Sequence, residues 1–290
     1  MFSIIQWFPG HMKKTLAEIK IHLKLVDIIL IILDARIPIS SMNLDLLKIL
    51  NNKPVLILLN KMSLTDLNKN HLFENFFNNR DIETLLIDSK YKINIQKVFI
   101  KIKRLLSQKK YKYPTKTLKM MVVGVPNVGK STFINCLAKR KATIVANKPS
   151  VTKKLQWINL PNNIKLLDTP GILYPKINYL QIAYSLGLCG CLKEEILPKE
   201  ELVKYFLFYL KKYYCEKLKK NFFLNEIEIK EKDLLKTIIK KRYNEKIFFK
   251  NNYYDFIYQN NVIDKIFAEI RSLKISQVNL DLDLISLFKI

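Results

Sequence analysis

Residues 124–131 read Gly-Val-Pro-Asn-Val-Gly-Lys-Ser, and this octet constrains the fold more than any other stretch. It is a phosphate-binding loop only where a buried strand leads in and a helix leads out. Both flanks comply: Met120–Val123 is a continuous apolar run, and Lys130–Arg140 suits a helix. In such a loop the glycines let the backbone fold closely around a triphosphate. Consecutive N–H groups and the helix N-terminus supply partial positive charge. Lys130 is expected to reach the β- and γ-phosphates and Ser131 to ligate Mg²⁺. The bland alternative is a tight strand-to-helix turn that spells the motif by chance; loop length, context and both terminal residues argue against it.

Other apolar runs place this unit in a larger sheet. They lie at Ile28–Leu33, Pro54–Leu59, Thr84–Ile87, Met120–Val125 and Ile164–Leu167. Near-continuous Val/Ile/Leu runs are what parallel strands covered on both faces require. Helix-like stretches lie between several of them, at Asn43–Leu50, Asp66–Asn79 (with Asp66 as N-cap), Ile95–Leu106 and Lys130–Arg140. Strands alternating with helices predict an α/β fold with a parallel sheet. The polar, basic segment Ser107–Thr117 reads as a surface connection. After Pro175 the pattern changes to helices at Leu202–Leu218, Asp233–Tyr243 and Val262–Ile270. The reading is therefore two domains, 1–175 and a smaller, mainly helical 176–290. The most apolar run, Ile28–Leu33, falls far short of the ~18–20 residues of a membrane helix. No targeting segment is evident, and with four cysteines in 290 residues a reducing cytoplasm is the expectation.

Further motifs sit at strand ends. Asp168-Thr-Pro-Gly171 follows Ile164–Leu167. Its Asp can hold Mg²⁺ through water, and the Gly171 N–H can bond a γ-phosphate and so report it. Asn60-Lys61 ends another strand, where GTPases carry Asn-Lys-X-Asp and the Asp reads guanine. Here the fourth residue is Ser63; Asp66 stands three positions on, at the wrong spacing. Asp88-Ser89-Lys90 follows Thr84–Ile87, where a supporting base-contact loop would be; an ordinary turn reads the same way. The order is reversed from that of ordinary GTPases, with the base elements before the phosphate loop. A compact domain with neighbouring termini tolerates such circular permutation. The γ-phosphate sensor would then lead straight into the second domain.

Trp7-Phe-Pro-Gly-His-Met12, Asp34-Ala-Arg36, Gly124–Ser131, Asp168–Gly171 and the permuted order together resemble the YlqF/RbgA family of ribosome-biogenesis GTPases. The similarity covers nearly the whole chain and is strongest over 5–175. It implies a P-loop GTPase domain with its parallel sheet in circularly permuted order, followed by a smaller helical RNA-binding domain. It also implies a role in maturing the large ribosomal subunit, with the precursor and its rRNA as partners. Glu269-Ile-Arg271 matches the family's tail, while later glycines expected there are absent. By the same resemblance Asn127, Val128, Gly129, Lys130, Ser131, Thr132 and Gly171 should touch the phosphates of GTP. Asn60, Lys61, Met62, Ser63, Asp88 and Ser89 should surround the base. Thr152 matches the switch threonine that completes Mg²⁺ coordination beside Ser131 and the water-linked Asp168. Ser150 stands where the family usually has Gly. Lys130 and Thr152 are thus the catalytic candidates, with His11 of the N-terminal motif.

Ile172 stands where many GTPases have a water-positioning Gln, so intrinsic hydrolysis should be slow. His11 is the residue that would swing in on a ribosome, or else it only packs its turn. The Cys189-X-Cys191 pair lacks partners at ligand spacing, so zinc is not expected.

The charge supports a polyanionic partner. Lys and Arg number 50 against 25 Asp and Glu, a net +25. A Lys-, Asn- and Ile-rich composition also follows from A/T-rich codons, but bias alone would scatter lysines evenly. From Ser89 to Leu167 there are 19 basic residues and no acidic one; residues 1–175 carry +19 and residues 176–290 only +6. A one-signed stretch of this kind reads as nucleic-acid-facing. The aromatics of Leu202–Leu218 could stack on bases, but helical spacing favours core. Together these features predict a monomer-favoured, non-membrane GTPase whose GTP state promotes ribosome binding and whose hydrolysis promotes release. The alternatives are a nucleotide-gated RNA scaffold with weak hydrolysis and relaxed guanine specificity, and a phosphotransferase lacking any acceptor-site signature.

Overall fold

A computed structural model describes residues 10–50, 53–108, 117–143, 154–242 and 252–288, with backbone alone at 10, 11, 13, 44, 45 and 252–258. Six strands form one sheet: β1 (Ile28–Asp34), β2 (Val55–Asn60), β3 (Thr84–Leu86), β4 (Leu118–Val123), β5 (Gln156–Leu160) and β6 (Ile164–Asp168), in the order β3-β2-β1-β4-β6-β5. All neighbours are parallel except β5 with β6. All seven residues of β1 are buried, because β1 lies in the middle of the sheet and helices cover both faces. The five expected strands are present. β5 escaped the sequence reading because it is an antiparallel edge strand with Gln156, Trp157 and Asn159 exposed. Asn162 and Asn163 both take left-handed φ and close its hairpin onto β6, a turn that Asn tolerates better than most residues.

The strand order fixes where the site lies. From β1 the chain moves outward through β2 to β3, then returns to β4 on the other side of β1. The loops leaving β1 and β4 therefore diverge, and this switch point opens a crevice at the strands' C-terminal ends. Pairing of Asp34 with Asn60, and of Val122 with Asp168, brings the loop starts to one level.

Helices supply the covering layers. They are α1 (Gly10–His22), α2 (Leu44–Leu50), α3 (Asn70–Asn78), α4 (Ile95–Gln108), α5 (Lys130–Ala138) and α6 (Leu180–Leu188). α3 buries Phe73, Phe76 and Phe77, and α4 buries Val98, Ile102, Leu105 and Leu106 at helical spacing. Each such side chain contributes about 1.5–3 kcal/mol of transfer free energy. α3 starts at Asn70 rather than Asp66 because residues 67–69 form a 3-10 turn, with Asp66 accepting the Asn68 N–H.

The chain divides into two compact units. One runs through Leu192 and includes Asn279–Ile290; the other is Lys193–Val278. The sequence reading put a single boundary at 175/176. The boundary falls later because α6 buries Ile182, Ala183 and Leu186 in the sheet unit, so the Asp168–Gly171 loop does not lead directly into the second unit. The second unit holds α7 (Lys199–Tyr213), α8 (Cys215–Phe222), α9 (Glu226–Lys230), α10 (Leu234–Arg242) and α11 (Asn252–Arg271). The helix expected over 202–218 breaks at Tyr214, whose φ of −144° and ψ of 47° are not helical. Phe206, Tyr209 and Tyr214 are core residues, while Phe208 is exposed.

The return of the C-terminal segment was not legible in the sequence. Leu280 N–H donates to Arg36 O (2.7 Å), and Asp66 N–H donates to Asn279 Oδ1 (2.9 Å). Asp281 Oδ2 accepts from Ser40 N (2.7 Å) and its Oδ1 from Ser40 Oγ (2.6 Å). Asn279 and Asp281 are both fully buried, ahead of the short α12 (Leu284–Leu287). Burial pushes the Asp281 carboxyl up to about 7, against the lowering effect of the Ser40 hydrogen bonds. Asp281→Ala strands two buried Ser40 donors and should cost about 1–3 kcal/mol in urea unfolding. The folded chain retains the Asp281 proton to a higher pH than the unfolded chain, whose value is near 3.8. This group therefore makes the fold less stable as pH rises from about 4 to about 7. Urea midpoints across that range should show Asp281→Asn with a flatter pH slope than the native protein.

Candidate nucleotide site

β4 delivers the chain into the loop 124–129 with little steric freedom. A Cβ on Gly124 (φ +155°) would lie 2.4 Å from Ile32 O, and one on Gly129 (φ +95°) would lie 2.4 Å from Asn60 Nδ2. Asn127 also has left-handed φ. The loop ends in α5, where Ser131 and Thr132 occupy the first turn, half-buried. Lys130 is buried, and its Nζ donates to Gly124 O (3.0 Å) and Val125 O (2.9 Å) of its own loop. Burial draws its pKa down to about 8, opposed by the charge of Asp168. A cation whose hydrogen bonds among the described residues go to two neutral carbonyls of a desolvated loop is poised for an anion.

The loop after β2 is bolted to the phosphate loop. Asn60 Nδ2 donates to Val128 O (2.9 Å), and Asn60 Oδ1 accepts from Ser89 N (3.0 Å). Lys61 Nζ donates to Asn127 O (2.6 Å) and to Asp34 Oδ2 (2.9 Å). Asp34 also takes a bidentate pair from Arg36, at 2.9 and 2.7 Å. Burial would raise the Asp34 pKa, but Arg36 and Lys61 together outweigh it and hold the carboxyl well below the usual range. A buried, doubly paired carboxylate of this kind fixes geometry more than it adds stability. Met62 N–H donates to Ile87 O (3.1 Å), which ties the Asn60–Ser63 loop to the segment before Asp88. Asp66 is engaged locally, capping Asn68 and lying 3.7 Å from Lys69. The Ser89 hydroxyl is buried without a partner among the described residues.

The loop after β6 completes the crevice. Thr169 Oγ1 donates to Val122 O (2.8 Å), and a Cβ on Gly171 would lie 2.8 Å from Pro126 Cα, so this loop packs on the phosphate loop. Ile172 is fully buried, with its N–H on Gly124 O (3.2 Å). Asp168 is fully buried, and its carboxylate oxygens make no well-formed hydrogen bond among the described residues, although the Gln156 side chain and the Thr169 N–H lie close enough to lower its pKa. Burial pushes its pKa up, with Lys130 pulling the other way. A buried carboxylate without a well-formed hydrogen bond, near a hydroxyl-bearing helix start, fits a hydrated Mg²⁺, a hard cation that prefers oxygen donors. Ser131 and Asp168 are the described residues that would hold it. Thr152 lies outside the described residues, and so does the side chain of His11, whose backbone is in the first turn of α1. The structure thus gathers Asn60–Ser63, Asp88, Ser89, Asn127–Thr132, Asp168 and Gly171 around one crevice. Sequence reasoning assigned no role to Arg36 or to the Cys189–Gly190 carbonyls, which accept from Asn127 Nδ2 at 3.4 and 3.3 Å. An Arg two residues after a strand-terminal Asp was the available signal for the first; the second had none.

A family profile described as 50S ribosome-binding GTPase matches residues 119–248. Ribosome biogenesis GTPase A of Priestia megaterium is 39% identical over 229 residues, which cover 77% of this chain and 80% of that protein. Mitochondrial ribosome-associated GTPase 1 of Mus musculus is 34% identical over 223 residues, covering 73% and 68%. Among solved structures, GNP-bound YlqF from T. maritima superimposes with a TM-score of 0.55 at 24% identity, over 92% of this chain and 97% of that one. That likeness concerns the fold. Asn60 supports three loops at once, so Asn60→Ala should weaken GTP binding at least about tenfold, the effect of losing one buried two-sided hydrogen-bonding group. Titration with a fluorescent GTP analogue measures it.

Proposed function

Because the chain belongs to the YlqF/RbgA family of circularly permuted GTPases and is a GTP hydrolase, we propose that it assists late assembly of the large ribosomal subunit. Its GTP state binds the precursor particle and its rRNA, and hydrolysis releases it. The observation that carries this reading is a desolvated Lys130, whose hydrogen bonds among the described residues go to its own loop's carbonyls, beside a buried Asp168 with no well-formed hydrogen bond. A magnesium-bound triphosphate would neutralise both. The relatives' names supply the ribosomal setting.

In this reading Lys130 leaves Gly124 O and Val125 O for the β- and γ-phosphate oxygens. The backbone N–H groups of Asn127–Thr132 cradle the phosphates, and Gly171 N–H bonds the γ-phosphate. Ser131, Thr152 and, through water, Asp168 would hold Mg²⁺, which would supply positive charge to offset that of the triphosphate. Asn60 to Ser63 and Asp88–Ser89 surround the base. Ile172 is packed in the core and cannot orient water, so hydrolysis in isolation is slow and the ribosome accelerates it, with His11 as the group brought in.

Electrostatics favour an rRNA partner. Lys97, Lys103 and Arg104 on α4 are exposed, as are Lys139, Arg140 and Lys141 after α5. They belong to the acid-free stretch Ser89–Leu167. Association through phosphate contacts should fall steeply with salt. The four cysteines are free thiols, and no described helix is long and apolar enough to cross a membrane.

Sedimentation with purified large subunits tests the reading. A non-hydrolysable GTP analogue should bring the protein into the particle fraction and GDP should not; equal sedimentation with both would contradict it. Ile172→Gln should leave intrinsic turnover within about twofold of the native rate, because a buried side chain cannot reach the attacking water. A rise of tenfold or more in single-turnover hydrolysis would show that the position faces the nucleotide.

A further inference from the structure

We infer that guanine is selected by a Ser63–Asp88 pair, in which Asp88 fixes the Ser63 hydroxyl as a hydrogen-bond acceptor for the base. The inference rests on the GTP-binding reading above and names its specificity-determining residue. A GTPase normally presents a carboxylate at the position of Ser63, and an uncharged Ser there leaves guanine discrimination without an obvious source. The structure supplies the missing charge from the next loop. Ser63 Oγ donates to Asp88 Oδ2 at 2.5 Å, and Ser63 N–H donates to the same oxygen at 3.2 Å. Asp88 Oδ1 accepts from Lys90 N (3.0 Å) and Tyr91 N (3.1 Å). Asp88 is buried, whereas Ser63 is half-exposed.

Counting donors and acceptors assigns the roles. A carboxylate has about four lone-pair directions, and these are taken by three backbone N–H groups and one hydroxyl. Asp88 has nothing left for a base and serves as the positioning residue. The Ser63 hydroxyl has one proton, which is committed to Asp88, and two lone pairs, which meet no donor among the described residues. A hydroxyl that donates to a charged acceptor is polarised and becomes a better acceptor itself. Ser63 is also held next to the phosphate loop, because Asn60 and Lys61, three and two residues earlier, bond Val128 O and Asn127 O.

A locked acceptor distinguishes purines by what they present. Guanine and hypoxanthine offer an N1–H donor. Adenine offers a bare N1 lone pair, which would face the Ser63 lone pairs with no proton between them. A single oxygen cannot face the N1–H and the 2-amino group side by side, whereas the two oxygens of a carboxylate take one each. The protein should therefore reject ATP but distinguish GTP from ITP by only a few fold. Restoring the usual carboxylate at 63 should not help, because it would place two carboxylates within hydrogen-bond reach of each other.

The test measures Mg²⁺-dependent binding of GTP, ITP and ATP to the full chain by calorimetry. Ser63→Ala should lower the GTP-over-ATP preference by about tenfold, the weight of one charge-linked hydrogen bond. Asp88→Asn should do the same, and the double variant should be no worse than Ser63→Ala alone, since the pair acts as a unit. Ser63→Asp should bind GTP more weakly than the native protein, and adding Asp88→Asn should recover affinity. An unchanged preference in Ser63→Ala, or tighter GTP binding by Ser63→Asp alone, would overturn the inference while leaving GTP binding intact. Failure of the native chain to bind any of the three would overturn the functional reading and this inference together. Ser63→Ala removes one half-exposed hydroxyl and keeps the test decisive if Asp88→Asn, which disturbs an anchored turn, unfolds.

Discussion

Asn60 makes two hydrogen bonds that hold this site together. Its amide nitrogen takes the Val128 carbonyl of the phosphate loop and its amide oxygen takes the Ser89 N–H of the base loop. Three loops that are remote in sequence thereby become one wall. Even the space is committed, since a Cβ at Gly129 would collide with that same amide. Lys61 adds a second tie, from Asn127 O to the buried Asp34–Arg36 pair at the end of β1. Burying a carboxylate with Arg36, beside a half-buried Lys61, is expensive unless each remaining polar atom is satisfied. The expense is tolerable here because it fixes the mouth of the crevice.

Permutation makes such ties necessary. The base loops at 60 and 88 precede the phosphate loop at 124, so the parts of the pocket are joined by long connections rather than by short turns. The sheet restores the geometry by inserting β4 beside β1, and side-chain hydrogen bonds close what remains. The C-terminal segment does similar work on the outside of the pocket. Asn279, Leu280 and Asp281 bind Asp66, Arg36 and Ser40, all within loops that follow β1 and β2.

Much of this was legible in the sequence, for physical reasons that differ by element. Parallel strands buried on both faces leave continuous apolar runs, so β1, β2, β4 and β6 announced themselves. The phosphate loop was legible because its glycines are demanded by backbone approach, which few other turns require. The half-polar edge strand β5 carries no such run, and its Asn162-Asn163 turn was a weaker signal. The domain boundary was misplaced because α6 is as apolar as a helix of a separate unit would be; only packing tells which core it joins. The Ser63–Asp88 bond and the Asn279–Asp281 strap join residues 25 and more than 200 positions apart. Pairings of that kind have no periodicity to reveal them.

The central claim is that four loops, at 60–63, 88–91, 124–131 and 168–171, form one nucleotide pocket. Amide hydrogen exchange with and without a magnesium-bound GTP analogue tests it most directly. The account predicts slowed exchange in all four loops together, because the ties through Asn60 and Lys61 transmit order from the phosphates to the base. Protection confined to 124–131, with the loops at 60 and 88 exchanging as they do in the free protein, would contradict it.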